Sequence, residues 1–235
     1  MAIKAVGFDF FGTIAHATAD SETCVRSMYA HLRNCGYAFS YEDFVLNYRA
    51  AVSEFRRTRN DHLHEVNNCV WVASTLERMG SKIEPSHPHV ICAVEKYFSP
   101  WQITLAPDAQ DVLKELKSRF TISLVSNFTD STFIRRCLKR LGIEDHFAHI
   151  VISDSVDWRK PHPNIFKAFL DLSNAKAEEA VYIGDEVATD VRGARSMGIR
   201  TVLLAKEGTV NMTEDQPDDV VHSLTEFKEL IERIS

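Results

Sequence analysis

No stretch of this chain approaches the ~20 consecutive apolar residues of a membrane-spanning helix. The opening residues Met1-Ala2-Ile3-Lys4-Ala5-Val6 run straight into a strand pattern, with no secretory leader expected ahead of it. The five cysteines, Cys24, Cys35, Cys69, Cys92 and Cys137, are odd in number and form no Cys-x-x-Cys pair. Their number and scatter point to reduced core or near-surface thiols in a cytoplasmic protein as the expectation. Basic residues are not in surplus: 27 Lys and Arg stand against 33 Asp and Glu, for a net charge of −6. Such a balance argues against a nucleic-acid partner and for a small molecule. His62-Leu63-His64-Glu65 and His87-Pro88-His89 lack the i, i+4 spacing that sets two imidazoles on one helix face, so both read as surface or loop. Internal repeats and low-complexity segments are also lacking.

What the 235 residues do have is enough apolar surface for a sizeable core, 45% of them being hydrophobic. The length suits one large domain carrying a smaller insertion. Ile3 to Phe8 reads as a buried strand. From about Asp20 to Phe98 the periodicity is helical throughout. Four helices are expected there, one with the stripe Val25, Met28, Tyr29 and Leu32, and one opened by Ser40-x-x-Asp43 as a capping box. A third closes at Gly80, and a fourth covers Val90 to Phe98. Beyond Pro100 strands and helices alternate. Strands are expected at Thr121 to Val125, His149 to Ile152, Ala180 to Ile183 and Thr201 to Leu204, with a last helix from Leu224 to Ile234. Such alternation implies an α/β fold, a doubly wound, Rossmann-like parallel sheet with an inserted all-α cap. The expected boundaries are 1–15 with 101–235 for the core and 16–100 for the cap.

Four short pieces sit where such sheets bind ligands, at the carboxyl ends of strands. They are Asp9-Phe10-Phe11-Gly12-Thr13, Ser126-Asn127, Lys160-Pro161, and Gly184-Asp185-Glu186 running on to Asp190. Singly each is an ordinary cap or turn. In this order the chain resembles the haloacid dehalogenase superfamily over essentially its full length, including a helical cap inserted after the first motif. The resemblance implies a hydrolase in which Asp9 is the nucleophile that becomes covalently attached to part of the substrate. It makes Asp9, the Phe11 backbone carbonyl and Asp185 ligands of Mg²⁺. Lys160 pairs with Asp9 and the transferring group, while Ser126 and the Asn127 backbone hydrogen-bond that group. Asp190, with Glu186 beside it, acts through metal-bound water or by orienting Lys160. The partner implied is a small anionic molecule, and the assembly a monomer or homodimer.

The first motif departs from the superfamily's phosphatases, which carry a second aspartate two residues after the nucleophile. Phe11 stands there and provides no general acid or base, help commonly worth a factor of ~10² to 10⁴. The 2-haloacid dehalogenases have an aromatic at that position, but their fourth motif binds no metal, and Phe166 stands where they usually carry a tyrosine. A phosphonoacetaldehyde-cleaving branch needs a cap lysine, and there is none between Lys4 and Lys82. Three carboxylates at one site repel unless a cation neutralises them, so the fourth motif decides the reading. The expectation is a Mg²⁺-dependent phosphatase acting on a small phosphorylated metabolite. The alternatives are a 2-haloacid dehalogenase and a catalytically weakened ligand-binding protein. In the cap, Arg49, Arg56, Arg57 and Arg59 are candidates to meet an anion, though a solvated basic face suits most of them.

Overall fold

The computed structural model describes residues 2–205 and 215–235. Strand β1 (Ala5–Phe8) is followed by a short β2 (Ala15–Thr18). Four helices come next, α1 (Ser21–Asn34), α2 (Tyr41–His62), α3 (Asn68–Arg78) and α4 (Pro88–Phe98). After them come β3 (Gln102–Leu105), α5 (Ala109–Lys117), β4 (Thr121–Ser126), α6 (Ser131–Leu141), β5 (His149–Ile152) and the single turn α7 (Ser153–Val156). The chain continues with α8 (Pro163–Ser173), β6 (Ala180–Gly184), α9 (Arg192–Ser196), β7 (Arg200–Leu204), β8 (Asp219–Val221) and α10 (Leu224–Ile234). Two compact units result, Met1–His16 with Thr104–Ser235, and Ala17–Ile103.

The larger unit is built on a six-stranded sheet in the order β5-β4-β1-β6-β7-β8, parallel at every pairing. After β1 the chain winds outward on one side through β4 and β5, then crosses to β6, β7 and β8 on the other. This is the doubly wound, Rossmann-like arrangement, and its switch point lies at β1. Strands flanked on both faces must be apolar throughout, and all four residues of β1 are buried. One face packs Ile165, Phe166 and Phe169 of α8 and Ala194 of α9 against Val125 and Tyr182. On α10, Phe227 meets Phe8 edge-on at 5.4 Å. Burying a phenylalanine of this kind contributes roughly 1.5–3 kcal/mol.

The smaller unit is all helical apart from its chain ends. Its helices start where local chemistry starts them. Asp20, Ser40 and Asn67 accept hydrogen bonds from the first-turn amides of α1, α2 and α3. His87 does the same for α4 through Nδ1, with Pro88 at the first helical position. Met28, Leu32, Phe44, Trp71, Leu76 and Val94 are among its buried residues.

Three strands were not in the sequence reading. Strands β2 and β3 pair as a two-stranded ribbon, and β8 adds an edge to the main sheet. All are three or four residues long, too short for a periodicity window. The helical segment between β6 and β7 is irregular at its start. It begins as a wide π-type turn, Val187–Val191, in which the Glu186 carbonyl accepts from the amides of both Asp190 and Val191. Only then does α9 follow.

Candidate active site

Register places the polar residues. Phe8 is level with Leu124 of β4 and Ile183 of β6, so Asp9 leaves β1 between the ends of its two neighbours. The Asp9 amide still donates to the Ile183 carbonyl at 2.9 Å. Ser126, buried, ends β4, and Asp185 follows directly on β6. Asp9 (7% exposed), Lys160 (3%) and Asp190 (2%) are charged groups withdrawn from water, which costs stability unless they pair.

They do pair. Lys160 Nζ donates to Asp9 Oδ1 and to Asp190 Oδ1, both at 2.6 Å. Two further oxygens lie around the same ammonium, Tyr182 Oη at 2.9 Å and the Val125 carbonyl at 3.0 Å. Burial disfavours the ammonium, but Asp190 and Asp9 outweigh it and hold the Lys160 pKa above the ordinary lysine value. Burial pushes the Asp9 carboxyl up to about 7, with Lys160 opposing the shift and Asp190 and Asp185 adding to it. The buried Tyr182 phenol is driven well above its usual value and stays protonated.

The backbone of Lys160 is as firmly held as its side chain. The Asn127 side chain accepts from the Lys160 amide at 2.7 Å and donates to the Lys160 carbonyl at 2.9 Å. The Lys160–Pro161 peptide is cis. Asp190 is fixed from its other oxygen, which accepts the Glu186 amide at 3.1 Å. The Glu186 side chain itself is exposed and takes a hydrogen bond from Thr189. It stands apart from the buried cluster.

Carboxylate oxygens of Asp9, Asp185 and Asp190 lie within 4.8 Å of one another. One ammonium among three carboxylates leaves a surplus of negative charge, and hard oxygen donors of this kind suit Mg²⁺. Asp9 gives only Oδ1 to Lys160. Its Oδ2 takes no hydrogen bond from the described residues. Asp190, by contrast, has one oxygen on Lys160 and the other on the Glu186 amide, which fits a lysine anchor better than a metal ligand. Gly12 (φ +96°) lets Asp185 come close. A Cβ there would lie 2.2 Å from Asp185 Oδ2. Gly184 does the same for Asp190, whose Cγ would be 2.3 Å from an added Cβ. The donor set therefore fits a divalent cation at Asp9 and Asp185.

Phe11 is half-buried. Its ring contacts Phe10 (centroids 4.5 Å apart) and Phe128 (5.6 Å), and Phe128 stacks in turn on Phe133. In the helical unit, Arg59 is 2.9 Å from Glu65 and lies over the Trp71 ring, a packing role. Arg49, Arg56 and Arg57 line, with Tyr48, an exposed groove of about 420 Å³ along α2.

Two groups at this site were missed from sequence. Tyr182 reads as one more apolar residue of a buried strand, and nothing in its spacing singles out its hydroxyl. At Asn127 the family resemblance points to the backbone amide, and nothing in that motif marks the side chain. The hint for both was their place, at or near the carboxyl end of a central strand.

The family model described as haloacid dehalogenase-like hydrolase matches residues 3–198. The chain is 25% identical over 238 residues to ribulose-1,5-bisphosphate 5-phosphatase of Halopiger xanaduensis, covering 97% of this chain and 98% of that protein. It is 29% identical over 225 residues to glyceraldehyde 3-phosphate phosphatase of Methanopyrus kandleri, covering 93% and 91%. Its fold is similar to that of a 2-haloacid dehalogenase from Pseudomonas syringae pv. Tomato, with a TM-score of 0.75, 22% identity and coverage of 99% and 100%.

Proposed function

Since the chain belongs to the haloacid dehalogenase-like hydrolase family, and is an enzyme on that ground, we propose that it is a Mg²⁺-dependent phosphatase of small phosphorylated metabolites, with Asp9 as nucleophile. The observation that carries this reading is the cluster of Asp9, Asp185 and Asp190, of which only Asp9 and Asp190 pair with the one buried ammonium. Its negative surplus calls for a cation and is unsuited to a 2-haloacid, whose carboxylate would be repelled. The phosphatase relatives that align along nearly the whole chain support the same choice.

In the first step an Asp9 carboxylate oxygen attacks phosphorus, the P–O–Asp9 bond forms, and the ester P–O bond breaks. The Lys160 ammonium neutralises charge on the nucleophile and on the transferring group. Ser126 and the Asn127 amide hydrogen-bond the phosphoryl oxygens. Asp190 fixes Lys160. A magnesium ion held by Asp9, Asp185 and the Phe11 carbonyl would supply further charge neutralisation at the phosphoryl group. With no carboxyl at position 11, the departing alkoxide takes its proton from water. A water molecule then attacks phosphorus, breaks the P–O–Asp9 bond, and releases inorganic phosphate with the carboxylate regenerated.

The test is phosphate release by metal-stripped protein from p-nitrophenyl phosphate and from sugar phosphates. Added Mg²⁺ should restore it, and Asp185→Ala should abolish the response. A second reading, dehalogenation, has the aromatic Phe11 in its favour. Halide release from a 2-haloacid in excess chelator, without phosphate release, would establish it instead.

A further inference from the structure

Lys160 has more oxygens around it than it has protons. An ammonium carries three N–H groups, and four acceptors lie within 3.0 Å: Asp9 Oδ1, Asp190 Oδ1, Tyr182 Oη and the Val125 carbonyl. The Tyr182 hydroxyl resolves the mismatch. Its oxygen is 3.0 Å from the Val125 carbonyl and 3.1 Å from Asp190 Oδ1, and it has one proton to donate. If it donates to Val125 and accepts from Lys160, four protons meet the four oxygens that surround the ammonium. The ring is held in place for this. Phe166 packs edge-on against it at 5.2 Å, and both side chains are fully or almost fully buried.

We infer that Tyr182 is a positioning residue for Lys160: by donating to the Val125 carbonyl, the Tyr182 hydroxyl makes itself the acceptor from which a lysine N–H is most readily released to the substrate's phosphoryl oxygen. The reason lies in what each partner loses when that proton is redirected. The bonds to Asp9 and Asp190 are charged at both ends and are the stronger ones to give up. The bond to Tyr182 Oη is charged at the donor alone, and when it is given up the Tyr182 O–H stays bonded to Val125 or Asp190. The hydroxyl also keeps the ammonium from being drawn onto the Val125 carbonyl, which would orient a lysine proton away from the reacting group. Tyr182 touches no substrate in this account and acts through Lys160. The inference rests on the proposed role of Lys160 as the cation at the transferring group.

The experiment compares wild-type, Tyr182→Phe and Lys160→Met proteins, loaded with Mg²⁺ and assayed with p-nitrophenyl phosphate. Tyr182→Phe removes one oxygen and keeps the ring. By leaving the Val125 carbonyl to compete for a lysine proton, it should lower kcat by about 3- to 10-fold, the net range of one hydrogen bond, with KM within about 2-fold of wild type. Incorporating 3-fluorotyrosine at position 182 keeps the hydroxyl and should keep wild-type turnover. In metal-free protein, the Lys160 Nζ–H₃ resonance in a ¹H–¹⁵N spectrum should exchange faster with solvent in Tyr182→Phe than in wild type. A folded Tyr182→Phe enzyme with wild-type kcat and an unchanged Nζ resonance would overturn the inference. So would an equal loss of rate with 3-fluorotyrosine, which would make the effect one of packing. If Lys160→Met itself kept wild-type turnover, the reading of Lys160 would fall, and with it the role given to Tyr182.

Discussion

Replacing Gly12 with alanine should damage the cation site far more than the fold. The added Cβ would lie 2.2 Å from Asp185 Oδ2 and 2.5 Å from its Cγ, where ordinary contact begins near 3.4 Å. The carboxylate must therefore retreat by about 1 Å, whereas metal–ligand distances are held to roughly 0.2 Å. Gly12 also sits at φ +96°, where a side chain costs about 1–2 kcal/mol. Stability should fall by that modest amount, measured by chemical denaturation in chelator. Mg²⁺ affinity, measured by calorimetry on the same protein, should fall at least ~10-fold as Asp185 leaves its position. Adding Asp185→Ala should then cause little further loss, because both changes remove one ligand. A folded Gly12→Ala protein that binds Mg²⁺ as tightly as wild type would show that the cation is not held by Asp185 in this position.

Three further outcomes follow from the site. Because Phe11 supplies no acid, the pre-steady-state burst of released alcohol or phenol should be much faster for aryl than for alkyl phosphates, and Phe11→Asp should narrow that gap; a burst indifferent to leaving-group acidity contradicts this. Asn127→Ala removes both bonds that fix the Lys160 backbone and should cost about 1–3 kcal/mol of stability, with kcat falling alongside; unchanged denaturation and turnover would deny the side chain that role. The Asp9 carboxyl is raised from 3.8 to about 7, so its protonated form is favoured by the metal-free fold. Its stabilising contribution is complete below about pH 4 and is lost as pH rises toward 7. Mg²⁺ should restore stability at neutral pH and release a proton on binding near pH 6, read by calorimetry in buffers of different ionisation enthalpy; binding without proton release would contradict it.

The sheet was legible because a parallel strand covered on both faces must be a short apolar run, and β1, β4, β5, β6 and β7 are such runs. The order of the strands across the sheet was not, since nothing local to a strand names its neighbours. Strand β8, Asp219-Val220-Val221, carries too little pattern to be seen, and β2 contains residues with no strong strand preference. Asp9, Lys160, Asp185 and Asp190 could be singled out only because four motifs, each ordinary alone, follow one another in the order that resembles the haloacid dehalogenase superfamily, and the structure does bring these residues together. Asp190 was harder. Its distance from Asp185 suits the next helical turn, but its aim at Lys160 depends on the π-type turn, which no spacing rule anticipates. Tyr182 and the Asn127 side chain act through hydrogen bonds to residues 22 and 33 positions away, and such partners become visible only in three dimensions.

If the proposed mechanism holds, Asp9 takes up the phosphoryl group. Rapid acid quench of the Mg²⁺-loaded enzyme with an aryl phosphate, followed by peptide mass spectrometry, tests it most directly. Within the first turnover the peptide containing Asp9 should gain the mass of one phosphoryl group, and Asp9→Asn should show neither that adduct nor turnover. An adduct on another residue, or wild-type turnover by a folded Asp9→Asn protein, would contradict the account.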